Sequence, residues 1–373
     1  MKFICLFTLL LIVYSFTSCK KKNTPEPEPD VTGTVYVGSD DKNLYAINAT
    51  TGLKKWAFAT DGAIFSSPSF VNGVVYVGSF DKKVYAVNAA TGAKKWEFAT
   101  DGLIFSSPYV VNGVVYIGST DQKLYALDAA TGAKKWEFAA EGSVDSSPMV
   151  VNGVVYVGSE GKKVYALDAV TGAKKWEFAM SGTSATTPTS PTFANGVVYA
   201  CDFQRTLFAI DAATGAKKWE FKTEASIDSS PTIKNGLVYI TSFDFKLRAL
   251  DAATGIEKWQ FEIGITGMSS PTVSNGFVYV GSIPGRLYAV DAVTGLKKWQ
   301  LITDDMRPAM YSSLTAAEGK IYACTGEKKI YSLDAITGAS EWVFQTEGLI
   351  NSSPCVVTAS GNVYHSGVSG VQE

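Results

Sequence analysis

Between residues 107 and 138 the apolar and polar positions fall into four short runs. "SPYVV" (107–111) alternates and stops at Asn112–Gly113, and "VVYIGS" (114–119) then runs into a polar break, "TDQ". "KLYALD" (123–128) follows, and beyond the turn "AATG" comes "KKWEF" (134–138), where polar and aromatic positions alternate. Short apolar or alternating runs bounded by turn residues predict four β-strands, and no apolar stripe at 3.6-residue spacing argues for a helix. Asn-Gly between two apolar runs predicts a type I′ hairpin, because both turn positions need positive φ. The same dipeptide stands at 72–73, 152–153, 195–196, 235–236 and 275–276.

The whole pattern repeats. "DAATGAKKWEF" at 128–138 recurs letter for letter at 211–221, and with one change at 88–98 and 168–178. The eight tryptophans, Trp56, Trp96, Trp136, Trp176, Trp219, Trp259, Trp299 and Trp342, are spaced by 40, 40, 40, 43, 40, 40 and 43 residues. Four antiparallel strands written eight times, at a period near 40, predict an all-β, eight-bladed β-propeller. One blade cannot bury both of its faces, so each must offer its neighbour the same surface. Trp136 on the outer strand is expected between adjacent blades, and a residue of that size buries roughly 150–250 Å². In "DAATG" the Asp128 side chain is expected to bond the turn backbone, while Gly132 accepts the left-handed conformation.

The ring has to close. The first blade begins at "TVYVGS" (34–39) without its own "SSP" strand, which "NSSPCVV" (351–357) supplies from the far end of the chain. "GNVYHSG" (361–367) is then a ninth copy of the "VYVGS" strand. Either it or residues 34–38 takes the second place in that blade.

The first residues are a separate object. Lys2 and the apolar "FICLFTLLLIVYSF" have signal-peptide length, shorter than a spanning helix of roughly 20 apolar residues. The stretch ends at Cys19 and resembles a bacterial lipoprotein signal, although Phe16 stands where Leu is usual. That resemblance implies a signal peptide over 1–18 and lipidation of Cys19. Residues 19–30, "CKKKNTPEPEPD", then read as a solvated tether, with the propeller over 31–373. Lys20 stands where some bacteria place an inner-membrane retention acid. The implied destination is therefore the outer membrane, with the body in the periplasm.

Composition narrows the chemistry. A net charge of -2 with no basic stretch beyond Lys20–Lys22 gives nucleic acid no footprint. Cys201, Cys324 and Cys355 are an odd number, not a disulfide framework. Cys201 and Cys324 fall where other repeats have Gly, as at Gly78 and Gly118, so both are expected to be buried and inert. A single histidine, His365, leaves Ser-His-Asp triads and histidine metal clusters without parts. Most acids recur at fixed turn positions, such as Asp168, Asp211 and Asp251, and read as turn formers. Asp145 and Asp228 depart from this, standing where other repeats have Phe65 and Phe105.

The motif Ala-x-Asp-x-x-Thr-Gly-x-x-x-Trp, seen in "ALDAATGAKKWEF", resembles the tryptophan-docking repeat of the pyrroloquinoline-quinone (PQQ)-like propellers, over nearly all of 31–367. Two branches share that repeat. Quinoprotein alcohol dehydrogenases imply a Trp floor under the quinone, a disulfide of adjacent cysteines, and calcium held near a catalytic Asp. Non-catalytic lipoproteins of the BamB type imply an eight-bladed scaffold of the outer-membrane barrel assembly machinery. Here every Trp belongs to the repeat and no two cysteines are adjacent. The expectation is therefore a membrane-anchored scaffold without catalytic residues, cofactor or metal, binding other envelope proteins. The alternatives are a PQQ-and-calcium or other small-ligand protein, and a carbohydrate-binding lipoprotein whose aromatic faces stack sugars.

A partner is expected where the repeat stops copying itself, on the face that carries the interblade and second-to-third-strand loops. That face offers Phe80, Phe203, Arg205, Phe243, Phe245, Arg248 and Arg286. The long loop 303–313 adds Met306, Arg307, Met310 and Tyr311. Aromatics, Met and Arg are the residues that protein interfaces enrich.

Overall fold

The computed structural model describes residues 33–180, 189–266, 269–283, 285–302 and 312–365. Among these there is no helix. The strands form eight antiparallel sheets, one per tryptophan, arranged as the blades of a ring. Blade 3 is typical: Tyr109–Val111 innermost, then Val114–Gly118, Lys123–Asp128 and the outer Lys134–Ala139. The predicted hairpins carry positive φ at both positions, 51° at Asn112 and 72° at Gly113. Glu318–Gly319 makes the same turn in blade 8, with φ of 45° and 79°. The turn acid behaves as expected: the Ala130 and Thr131 N–H groups donate to Asp128 Oδ1, and Gly132 has φ 75°.

The closing blade decides between the two candidate strands. Thr34–Gly38 pairs with Asn43–Asn48 on one side and with Cys355–Val357 on the other. Residues 34–38 therefore hold the second place, and Val363–His365 pairs with Cys355–Val357 as a fifth strand, inside the innermost one. Blade 7 also carries a short additional strand, Ile265–Thr266.

The core is divided into eight layers, each between two neighbouring blades. Tyr76, Val84 and Trp96 of blade 2, for example, meet Val115, Ile117 and Leu127 of blade 3. In every layer the tryptophan indole donates to a backbone carbonyl of the next blade. Trp136 Nε1 reaches the Ala169 oxygen at 3.1 Å, and Trp342 reaches Ala49 at 2.9 Å, 293 residues away, which clamps the ring shut. Tyr116 donates to the same Ala169 carbonyl at 2.9 Å, so one acceptor holds two side chains of the preceding blade. The indole lies flat on the next turn. A Cβ added at Gly172, whose φ is 74°, would stand 2.8 Å from Trp136 Cδ2. This is why "TG" and "W" recur together.

Candidate functional site: the channel and the interblade face

The "SSP" motif builds the channel. In blades 1 and 3, for example, its first serine ties the inner strand to the second: the Gly118 N–H donates to Ser106 Oγ at 3.1 Å, and the Gly38 N–H to Ser352 Oγ at 2.9 Å. Its second serine reaches sideways. The Ser67 N–H donates to Ser107 Oγ, the Ser107 N–H to Ser147 Oγ, and so on through Ser190, Ser230, Ser270, Ser313 and Ser353. The Ser353 N–H returns to Ser67 Oγ at 2.9 Å, completing a circuit of eight bonds around the axis. The proline that follows, replaced by Leu314 in blade 8, has no N–H to place and favours extended backbone before it. Each hydroxyl thus accepts a blade-to-blade bond and keeps its own proton for the channel.

These serines and prolines line a cavity of about 210 Å³, together with Tyr109, Met149 and His365. His365 arrives on the fifth strand, with Nε2 3.9 Å from Cys355 Sγ. Burial pushes its pKa down to about 4, against a hydrogen bond with the Pro68 backbone, so the ring is neutral. Burial likewise pushes the Cys324 thiol up to about 12 and raises those of Cys201 and Cys355, which are buried and unreactive. The described residues that line the cavity supply no carboxylate and no cation. Among the described residues no three His, Cys, Asp or Glu side chains gather as a metal cluster requires. Among the described residues the donor set therefore does not fit a quinone held by calcium: none of those lining the cavity is a carboxylate, and all eight indoles are engaged between blades.

Above the cavity lies the face that carries the interblade loops, and here the predicted residues separate. Phe80 stacks on Phe65 at 4.4 Å between ring centroids and meets Phe105 edge-on at 4.5 Å, a cluster joining blades 2 and 3. Phe203 and Arg205 of blade 5 and Phe245 of blade 6 are exposed. Arg205 and Phe245 take the positive-φ place in the loop (104° and 71°) that Lys82 and Gln122 occupy elsewhere. Phe243 is half-buried, its N–H bonded to the Ser226 carbonyl. Arg286 opens the third strand of blade 7, half-buried. Met306, Arg307, Met310 and Tyr311 lie outside the described residues.

Arg248 does not belong to a partner face. It is only 3% exposed, with Nη1 and Nη2 on the two Asp244 oxygens at 2.9 and 2.6 Å and Nε 3.2 Å from Glu257. Elsewhere a tyrosine at that position donates to an acid four residues earlier, as Tyr125 does to Asp121 at 2.8 Å. Arg248 replaces that bond with a buried ion pair.

The two departing acids also separate. Asp145 and Asp228 stand on blades 4 and 6, with blade 5 between them. Both Asp228 oxygens are buried without a hydrogen-bond partner, and burial pushes its pKa up to about 7. The repeated turn acids are the opposite: the Thr171 N–H, then Lys175, hold Asp168 down at about 2. The serine circuit itself went unread in the sequence, although "SSP" standing before strand after strand was its signal.

Comparison with known proteins places this geometry. A family model described as outer membrane protein assembly factor BamB matches residues 20–103, 100–202, 187–300 and 265–370. No match was found among curated protein sequences. Among solved structures, BamB from Moraxella catarrhalis is similar with a TM-score of 0.70 and 19% identity, covering 80% of this chain and 92% of that one. A europium-containing methanol dehydrogenase gives 0.70 and 15%, covering 83% and 84%. The quinohemoprotein alcohol dehydrogenase of Comamonas testosteroni gives 0.66 and 16%, covering 82% and 70%. At such identities these structures share the fold alone. The family model spans the ring from end to end, and the chain belongs to the family of the outer membrane protein assembly factor BamB.

Proposed function

We propose that this protein is a non-catalytic scaffold, tethered to the outer membrane through Cys19 and facing the periplasm, that binds envelope proteins engaged in outer-membrane protein assembly. The observation that supports this most is the family match across 20–370, joined to a channel cavity whose described lining residues hold no charged group. Phe203, Arg205 and Phe245 are the exposed departures from the repeat on the interblade face and form the partner contact. Co-purification from detergent-solubilised envelopes tests it: the wild-type chain brings down assembly-machinery proteins, and a Phe203→Ser/Phe245→Ser variant that still folds loses them. Retention of the same proteins by the variant would refute the assignment of this face.

One second reading has an observation in its favour, since dehydrogenases that share the fold are among the similar structures. Titration with PQQ and calcium, read by quinone absorption and dye-linked alcohol oxidation, separates the two readings. The scaffold predicts no saturable band and no turnover.

A further inference from the structure

The opposite face carries the hairpin turns and the turns between third and outer strands, and it is not evenly polar. Leu53, Ile256, Val293, Leu296 and Ile336 all stand on these outer turns and are 62–78% exposed. The turn does not require them: blades 2, 3 and 5 place alanine at both positions, as Ala90 and Ala93 or Ala130 and Ala133. The five side chains sit on blades 6, 7, 8 and 1, which are consecutive around the closed ring. Val170 on blade 4 is the one outlier.

The chain also leaves the ring on this face. The Ala49 N–H donates to the Gly33 carbonyl at 2.7 Å, so Gly33 lies beside the same blade 1 turn that ends in Leu53. Residues 20–32 join it to Cys19 and span at most about 45 Å. Lysines follow two of these side chains directly, Lys54 and Lys55 after Leu53 and Lys297 and Lys298 after Leu296, whereas Glu257 follows Ile256. Separate aliphatic side chains on different blades do not make the packed centre of a protein interface. They suit the headgroup region of a bilayer, where aliphatic tips enter and ammonium groups stay at the phosphate level.

We propose that the arc formed by Leu53, Ile256, Val293, Leu296 and Ile336 rests in the membrane surface that holds the tether. It fixes the ring with its turn face towards the lipid and its interblade face turned away. The inference rests on the anchored reading above and adds an orientation to it.

Leu296 and Ile302 bracket the outer strand of blade 7, Lys297–Ile302, and are similarly exposed. Six residues of strand place them roughly 20 Å apart along it. The test attaches an environment-sensitive fluorophore to Leu296→Cys or Ile302→Cys in the full chain, the three described native cysteines being buried. The labelled proteins are bound to phosphatidylethanolamine–phosphatidylglycerol vesicles containing brominated lipid. The 296 label is expected to shift to the blue and to be quenched roughly twofold or more beyond the 302 label. Equal, water-like emission from both overturns the proposal. So does a 296 shift that depends on protein concentration without vesicles, which assigns the arc to a second copy. The mass of the mature N-terminal peptide reports the anchor separately. Without a lipid on Cys19 the anchored reading fails, while selective quenching at 296, at higher lipid concentration, still supports the arc.

Discussion

Removing both donors that share the Ala169 carbonyl should cost more than the sum of removing each. Trp136→Phe deletes the indole N–H and part of the ring, but the carbonyl keeps the Tyr116 hydroxyl at 2.9 Å. The lost bond is worth about 1 kcal/mol, and the lost apolar area about another 1 kcal/mol. Tyr116→Phe removes one hydroxyl while Trp136 Nε1 remains at 3.1 Å, at a cost of about 1 kcal/mol. In the double variant that interblade carbonyl loses both donors, and an unsatisfied buried acceptor adds roughly 1–2 kcal/mol beyond the sum. The assay is urea unfolding followed by far-UV circular dichroism on the four proteins of the cycle, compared at equal slope. Costs that add within about 0.5 kcal/mol would refute the shared-acceptor clamp. Trp136→Ala, for scale, should cost roughly 3–5 kcal/mol.

Other consequences follow from the same geometry. Gly113 and Gly172 have φ of 72° and 74°, but only at Gly172 does a Cβ meet a neighbour; Gly172→Ala should therefore destabilise by about 2 kcal/mol more than Gly113→Ala, read by urea midpoint. Ser107→Ala removes the acceptor of the Ser67 N–H and should cost roughly 1–3 kcal/mol without altering partner co-purification. Asp228 has a folded-state pKa raised to about 7 from an ordinary value near 3.8, so the folded form holds the proton longer than the unfolded chain. Its penalty is absent below about pH 4, grows as pH rises, and levels off above about pH 7. Asp228→Asn should thus raise the urea midpoint at pH 8 and leave it unchanged at pH 3.5. Truncation after residue 358 removes the fifth strand but keeps Cys355–Val357 on blade 1, so cooperative unfolding should persist; truncation after 350 should abolish it.

Most of the fold could be read from the sequence because every blade repeats the same local chemistry. Asn-Gly dictates the hairpin, Asp and Gly the outer turn, and Trp the interblade seam, so eight copies leave little room for another architecture. What could not be read depends on the ring being closed. Residues 34–38 and 361–367 carry the same strand pattern, and only pairing shows that 34–38 has neighbours on both sides. The serine circuit needs each N–H to meet a hydroxyl about 40 residues away, which no local pattern reveals. Arg248 looked like an exposed departure, yet the acid four residues earlier was already in the repeat and receives it. The partner contact is the least legible, because loops outside the strands and turns obey no periodic constraint. There an exposed Phe245 has the same local cause whether or not anything binds it.

The scaffold role is tested most directly by a photo-crosslinking probe placed in living cells at Phe245 on the interblade face, and separately at Ala130 on the turn face. A scaffold that binds through its interblade face gives an adduct between the 245 probe and a component of the outer-membrane assembly machinery, with no such adduct from 130. A silent 245 probe, or the same protein adduct from 130, would contradict it.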